Sequence, residues 1–501
     1  MTDQTRPRWI FTSIVFTLLI GLPALALSQS ATPPDREQIL RDLDTLIKMR
    51  QEMSTQMQEF DKRIKALEEQ LNVDSDKTEP VIAESEAPPA KPAVEGDRDQ
   101  PSDFWSRYEP GKGFVLARTD QGELNWSVFS YVRYLNQKAL EDTYTDSFGR
   151  TSRIDKRNDF QFQKVTMNFK GWLFDEKFRY LWYIWTSNTS QGDPAQVVVA
   201  GNLGYRFNNA FNLYAGIGAL PSTRSTNSPF PNWLKNDHRT IADEYFRGSY
   251  TTGVFANGVL VPGLKYRVML GNNLSQLGVN ASELDADLNT FSGALWWMPT
   301  TGEYGPGEGL GDYEYHNEVA TLFGVHYTFS TEDAQGQSDT EGFENTQLRL
   351  SDGTLIFSED PFISEGIVRK VDYQMAAVNG GFKYRGWSLE AEGYLRYLND
   401  FQTIGTIPVD SLTDYGFQVQ GSTMIIDKKL QGYAEFSQIY GDYGDPWDAS
   451  LGVNWFPFSR KEFRINAQGL YLKDSPVGYS SVPFTVGGKG WVFSLDAIVA
   501  F

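Results

Sequence analysis

The chain has 501 residues and no cysteine, and 45 Lys+Arg against 64 Asp+Glu give it a formal net charge of −19. Without cysteine it has no disulfide framework, thiolate zinc site or cysteine nucleophile. The acidic balance argues against a nucleic-acid partner, which would need a basic patch. A helical membrane protein would be far more apolar than a mean hydropathy of −0.41.

Residues 1–28 have the features of a secretory signal peptide. Arg6 and Arg8 precede an apolar run that ends near Leu22, and small residues lead to an expected cleavage between Ser28 and Gln29. An uncleaved membrane anchor is the alternative, although the apolar run is short for a span. The sequence therefore predicts export.

Residues 35–72 carry a heptad pattern without Gly or Pro, which predicts an α-helical coiled coil. Position a is occupied by Leu43, Arg50, Met57, Ile64 and Leu71, and position d by Ile39, Leu46, Met53, Phe60 and Leu67. Only Arg50 breaks the apolar seam. The composition of positions a and d does not decide between a coiled coil of two helices and one of three. Residues 73–103 are rich in Pro, Ala and acidic residues, which predicts a disordered linker.

From residue 104 onward apolar and polar residues alternate in segments of about ten residues, as in a transmembrane β-barrel. In the last segment Trp491, Phe493 and Leu495 alternate with Ser494 and Asp496. We expect an all-β fold, a closed antiparallel barrel of about sixteen strands over 104–501, wide enough for an aqueous channel. A secreted β-sandwich or propeller is the alternative. Terminal Phe501 resembles the assembly signal of outer-membrane barrels.

The predicted strands begin near sixteen positions: Glu123, Asn158, Lys177, Gln196, Ala210, Glu244, Gly263, Asp287, Asn317, Val371, Trp387, Asp414, Lys429, Pro446, Glu462 and Lys489. Extending the alternation of the last strand to the others predicts which charged residues line the pore: Arg133, Lys164, Lys170, Arg179, Lys265, Arg267, Asp372, Glu390, Glu392, Arg396 and Glu435. Apart from Arg396, the basic residues precede the acidic ones along the chain, so we expect a basic wall facing an acidic wall across the pore. Alternatively, these are ordinary solvated charges at mixed depths.

Three stretches resemble the porin O/P family of phosphate-selective porins: GKGFVLARTDQGELNWSVFSYVRYLNQ (111–137), FKYRGWSLEAEGYLRYL (382–398) and GDPWDASLGVNWFPF (444–458). The resemblance implies a trimer of barrels, each narrowed by an inward-folded third loop with basic residues that guide anions. The matching loop here is Leu220–Thr240. We expect the constriction to contain Arg224, Lys235, Arg239 and, at the start of the next strand, Arg247.

Enzymatic and metal-binding interpretations find little support. The three histidines are His238, His316 and His326, and adjacent Asp237 and His238 side chains usually point apart. Asp312, Glu314 and Glu318 form an acidic segment at the expected outer surface, where a solvated loop is favoured over a Ca²⁺ site. We therefore expect no enzyme activity, no cofactor and no metal.

These patterns predict a porin in the outer membrane of a Gram-negative bacterium, forming a water-filled channel for small solutes or ions, with anions or phosphate preferred. The expected partners are two further copies in a homotrimer, membrane lipid, lipopolysaccharide and small anions, with the coiled coil in the periplasm. The main alternative is a structural anchor whose coiled coil tethers the membrane to the cell wall. A surface adhesin is disfavoured, because the coil precedes the barrel.

Overall fold

The computed structural model describes residues 107–187, 196–228, 232–275, 287–333, 348–479 and 481–501, together with Lys62. The chain divides into two compact units, Met1–Asp97 and Arg98–Phe501. The predicted signal peptide and linker lie outside the described residues, as does the predicted coiled coil apart from Lys62. These three segments stay predictions.

Where described, residues 107–501 form twenty strands and two short helices. In chain order they are β1 (Arg107–Glu109), β2 (Gly113–Thr119), β3 (Gly122–Leu140), β4 (Thr143–Thr145), β5 (Thr151–Arg153), β6 (Asn158–Leu173), β7 (Asp175–Ser187), β8 (Gln196–Arg206), β9 (Asn212–Ala219), α1 (Arg224–Asn227), α2 (Ile241–Phe246), β10 (Tyr250–Val261), β11 (Leu264–Gly271), β12 (Thr290–Trp297), β13 (Ala320–Asp333), β14 (Ile367–Tyr384), β15 (Trp387–Ile404), β16 (Leu412–Ile426), β17 (Leu430–Tyr440), β18 (Trp447–Trp455), β19 (Phe463–Lys473) and β20 (Gly490–Ala500).

Sixteen of these strands close into an antiparallel barrel. β3 pairs with β6, each strand from β6 to β20 pairs with the next, and β20 pairs with β3 to complete the ring. The predicted all-β class and strand number are confirmed. β1 and β2 form a hairpin that continues the sheet beside the first residues of β3, beyond the end of β20. β4 and β5 form a separate two-stranded sheet.

The two faces of the barrel have opposite chemistry. Along β20, Trp491, Phe493 and Leu495 are about half exposed on the outside, whereas Ser494 and Asp496 are buried inside. Exposed outer aromatics lie near both ends of the strands, for example Trp387 and Trp491. An apolar outer face bounded by aromatic residues is typical of a barrel that spans a lipid bilayer. No helix in the described part of the chain is long and apolar enough to cross a membrane.

The two ends of the barrel differ in the length of their connections. One end, here called the short-turn end, carries the close turns of β6–β7, β10–β11 and β14–β15 together with the C-terminus. The opposite, long-loop end carries the connections 141–157, 220–249, 334–366 and 474–489. The connection between β12 and β13, residues 298–319, is the exceptionally long one at the short-turn end.

The loops of the long-loop end fold into the barrel and share a hydrophobic core with its inner wall. Fully buried Phe246, Ile356 and Phe484 come from three different loops. They belong to the same cluster as inward-facing Met375 and Leu470 of the wall. Apolar side chains therefore occupy part of this half of the lumen.

Candidate functional site in the barrel lumen

The connection 220–249 between β9 and β10 lies in the lumen and is called the constriction loop. Its helix α2 begins because the Thr240 hydroxyl accepts the Asp243 N–H at 3.3 Å, with Asp243 and Glu244 in the first turn where the helix dipole favours acids. Strand was predicted from Glu244; this was wrong, since the chain is helical there and the strand begins at Tyr250. Arg247 is thus the C-cap of α2 rather than a wall residue.

Two basic residues of the constriction loop pair with acids on the wall. Arg224 Nε lies 3.0 Å from Glu390 Oε1, and Lys235 Nζ lies 2.6 Å from Glu435 Oε2, all four side chains being buried. Neighbouring Glu392 accepts the backbone N–H of Arg224 at 2.7 Å. The predicted constriction residues therefore cover the acidic wall and neutralise Glu390 and Glu435.

The other two predicted constriction residues pair within the loop itself. Arg239 and Arg247 donate to opposite oxygens of the Glu244 carboxylate, at 3.0 and 2.8 Å. Burial raises the pKa of the Glu244 carboxyl, but the two guanidinium groups outweigh it and lower the pKa to about 2. Asp243 Oδ2 also lies 3.9 Å from Arg239 Nε, so two carboxylates face the two arginines.

The opposite side of the constriction loop contacts the basic wall. Asp237 accepts from Lys164 Nζ at 2.8 Å and from the Tyr131 hydroxyl at 2.5 Å. Lys164 has φ 43° at a β-bulge opposite Ser130, so that Gln163 and Lys164 are both buried against the lumen. The loop thus lies between the two walls, which were predicted to face each other across open water.

Two further buried ion pairs join neighbouring strands. Arg133 Nε contacts Asp496 Oδ1 at 2.7 Å across the β3–β20 seam, and Arg396 Nη2 contacts Asp414 Oδ2 at 2.6 Å between β15 and β16. Both arginines are 0% exposed. Their predicted inward direction agrees with the structure, but they serve the wall rather than an open pore.

Five basic residues on the inner faces of β6, β7, β8 and β11 remain without an ion pair among the described residues: Lys170, Arg179, Arg206, Lys265 and Arg267. All are half-buried except Arg206, which is exposed. The acidic wall differs sharply, since Glu392, Glu435 and Asp496 are 5% exposed or less. The charge left uncovered in the lumen is therefore basic.

Arg267 is oriented by an aromatic stack. Its guanidinium carbon lies 4.6 Å from the centre of the Phe255 ring, which stacks on Tyr214 at 5.2 Å and 9°. Tyr214 lies against Gly204, where a Cβ would come within 1.9 Å of the ring, so glycine is required for this close approach. The stack holds a cation against the wall without an acidic partner.

Asp372 was predicted to line the pore, and this is wrong. It lies between buried Val371 and Tyr373 and on the same face of β14 as exposed Val378. There it accepts a hydrogen bond from Thr331 at 2.7 Å on the outer face. The apolar residues Val371, Tyr373 and Met375 face the hydrophobic cluster that the loops form with the inner wall, so in this part of β14 the apolar face is the inner one.

Sequence reasoning missed two lumen features. Arg206 lies on the same inner face of β8 as Asn202 and Gly204, and alternation extended through β8 predicts this position. Asp312, Glu314 and Glu318 were expected in a solvated loop at the outer surface, whereas the structure puts the connection 298–319 at the short-turn end and buries Tyr304 and Asp312. The sequence does indicate that the connection 298–319 is special, because a connection of this length with many glycines is unusual between neighbouring strands.

The histidines are held by structural contacts. His238 Nδ1 lies 2.7 Å from Asn236 O, and His326 contacts Pro221 O and Asn379 Oδ1 at 3.0 Å. His316 Nδ1 lies 2.5 Å from Asp312. In the described ranges no group of three His, Asp or Glu side chains is arranged to hold a metal ion.

No protein-family model and no curated protein matches this sequence. Among solved structures, similar chains include the anion-selective porin from Comamonas acidovorans (TM-score 0.49, 8% identity, 76% of this chain and 100% of that one). A loop L8 deletion mutant of OmpT, an outer membrane protein of Vibrio cholerae, has a TM-score of 0.46 and 12% sequence identity, and the match covers 76% of this chain and 100% of that one. The outer membrane channel DcaP of Acinetobacter baumannii has a TM-score of 0.46 and 11% sequence identity, and the match covers 77% of this chain and 99% of that one.

Proposed function

We propose that this chain is a porin-type channel of the Gram-negative outer membrane that admits small solutes by passive diffusion and prefers anions. One observation carries the anion preference: the loops cover the acidic wall, whereas Arg179, Lys265 and Arg267 stay half-buried without ion pairs. Short turns face the periplasm in outer-membrane barrels, so this basic surface would lie toward the periplasmic mouth.

The net charge of −19 does not oppose this proposal. Charge separated from the solute by more than a Debye length, about 8 Å at physiological ionic strength, is largely screened. Permeating ions respond to charges that line the pathway. Paired residues such as Arg224 and Lys235 add little field there, so the unpaired wall residues should dominate selectivity.

Reversal-potential recording in a salt gradient tests this proposal. We expect Arg179→Gln with Arg267→Gln to lower the anion-to-cation permeability ratio by at least about fivefold per residue, because a unit charge near 4 Å in water changes the energy of an anion by about 1 kcal/mol and that of a cation in the opposite direction. The matched control is Lys428→Gln with Lys429→Gln, exposed in the turn between β16 and β17. Equal ratios in wild type and both variants would refute the role of the basic wall.

A structural anchor is the second candidate, and the apolar cluster in the long-loop half of the lumen favours it. In this reading the barrel holds the predicted coiled coil at the membrane, and the coil contacts the cell wall. Planar-bilayer recording separates the two functions. A folded barrel that never conducts would leave the structural anchor as the remaining candidate function.

We further infer a homotrimer embedded in outer-membrane lipid and lipopolysaccharide, with the coiled coil of residues 35–72 in the periplasm. The heptad pattern and the position of this segment before the barrel support the inference. Preference for phosphate over other small anions belongs to the same proposal and rests on the porin O/P resemblance. Inhibition of chloride current by added phosphate would measure it.

A further inference from the structure

The connection 298–319, here called the inward turn, enters the lumen from the short-turn end. Its base is fixed by buried Asp312, which accepts the N–H of Gly386 at 2.7 Å and the N–H of His316 at 3.2 Å. Its tip carries Tyr304, which is 1% exposed and donates a hydrogen bond from its hydroxyl to Glu390. Lys383 Nζ lies over the Tyr304 ring, 4.5 Å from the ring centroid. The turn is thus bound to the wall rather than extended into solvent.

The inward turn meets the constriction loop, which enters from the opposite end. Arg224 donates to the backbone carbonyls of Pro306 at 2.6 Å and Glu308 at 2.9 Å. The Ser228 hydroxyl donates to the same Glu308 carbonyl at 2.9 Å. A chain of hydrogen bonds therefore joins two segments that start at opposite ends of the barrel.

A second contact lies beside the first. The Leu310 N–H donates to Asn232 O at 3.1 Å. The Leu310 side chain packs with Trp233 and Leu234 of the constriction loop and with Tyr433 of the wall. Polar and apolar contacts together make the two segments one unit.

We propose that the inward turn is the second half of the constriction, and that Arg224 is the positioning residue that joins the halves and thereby sets the size limit of the pathway. This inference rests on the proposed channel function, but it concerns the width of the pathway rather than its charge. Arg224 suits the role because its planar group forms an ion pair with Glu390 and donates hydrogen bonds to two backbone carbonyls at once.

Arg224 also neutralises Glu390, so two effects of its replacement must be separated: loss of the link between the constriction loop and the inward turn, and loss of charge compensation at Glu390. Arg224→Lys keeps a cation near Glu390 but lacks the fork that reaches both carbonyls. Arg224→Gln with Glu390→Gln removes the guanidinium without leaving a buried, unpaired carboxylate. If Arg224 acts only on charge, both variants should keep the wild-type size limit.

The geometry offers a reversible lock between the halves. A Cβ built on Gly309 would lie 3.2 Å from the Asn232 Cβ, slightly below the 3.5–4.5 Å spacing of a disulfide, and 2.9 Å from the Asn232 carbonyl oxygen, so the inward turn must move by a few tenths of an ångström to accept the pair. The chain has no cysteine of its own. Asn232→Cys with Gly309→Cys therefore creates a single defined crosslink in the full-length protein.

We expect both Arg224 variants to show larger single-channel conductance and faster uptake of large uncharged sugars in liposome-swelling assays. When the cysteine pair is added to either Arg224 variant, its oxidation should restore the wild-type conductance and sugar uptake, and its reduction should return both to the values of the variant. On gels, crosslinking should slow by roughly tenfold without Arg224, the factor expected for losing a charge-assisted hydrogen bond. Heat-modified gel mobility establishes that each variant is folded.

The outcomes separate this inference from the proposed function. Unchanged conductance and size limit in both Arg224 variants, or widening that the crosslink does not reverse, would overturn the joining role of Arg224. A wild-type protein that never conducts would refute the channel. In that case the rate of crosslinking still decides whether Arg224 joins the two segments, and an unchanged rate refutes it.

Discussion

At the residue scale, the charges of the lumen fall into paired groups that build the wall and unpaired groups that face solvent. Arg133 belongs to the first group, since it contacts Asp496 and also donates to Ser481 O at 3.1 Å and Asn236 O at 2.8 Å. It therefore joins the closing strands to two loops. Lys265 belongs to the second group, because nothing acidic among the described residues pairs with it.

We expect Arg133→Gln to destabilise the barrel strongly, because it leaves the Asp496 carboxylate buried and unpaired. Breaking a buried pair in this way costs about 3–5 kcal/mol. Thermal unfolding in detergent, followed by circular dichroism, measures the loss. Lys138→Gln, an exposed position on the same strand, is the control. Equal melting temperatures for both variants would contradict this account.

At the element scale, the β1–β2 hairpin completes the seam where the chain ends. Phe501 exchanges backbone hydrogen bonds with Val128 at 2.8 and 2.9 Å. Its ring contacts Phe114 of β2 at 5.4 Å and Trp126 of β3 at 5.8 Å between centroids, both edge-on. The C-terminal residue is thus held by the first strands of the unit. Its predicted role as an assembly signal stays a prediction.

We expect Phe114→Ala to lower the yield of folded barrel, because it removes an aromatic contact worth about 0.5–1.5 kcal/mol beside the terminal strand. Refolding into detergent micelles, scored by heat-modified gel mobility, measures the yield. Phe458→Ala removes a ring that is 69% exposed in the β18–β19 turn and serves as the control. Similar yields for the two variants would show that the Phe114 ring is dispensable for closure.

The strands could be predicted from the sequence and the loop contacts could not, for a physical reason. Alternation is a local property of a strand with one face in lipid, so β6, β8 and β15 begin at the predicted residues Asn158, Gln196 and Trp387. The partner of Lys235 is Glu435, two hundred residues away, and only the closed barrel brings them together. The loop arginines were recognised, but their neutralisation by the wall was not predictable.

At the scale of the whole molecule, the barrel is complete in itself. Every strand from β6 to β20 has two hydrogen-bonded neighbours within the chain, and the β3–β20 seam closes the ring. Acidic wall, loops and basic wall follow one another across the lumen, so that an acidic protein presents a basic inner surface. Nothing in this closure requires residues 35–72, whose predicted heptads would act between chains.

We therefore expect deletion of residues 35–72 to weaken the oligomer while leaving the barrel intact. Strand content by far-UV circular dichroism should stay unchanged, because the strand pairing lies within 107–501. The temperature at which oligomers dissociate on detergent gels should fall, since the deletion removes the apolar a and d positions that bury surface between helices. Deleting residues 73–103, which keeps the heptads, is the matched control. Unchanged dissociation after the first deletion would show that the barrel walls alone hold the oligomer together.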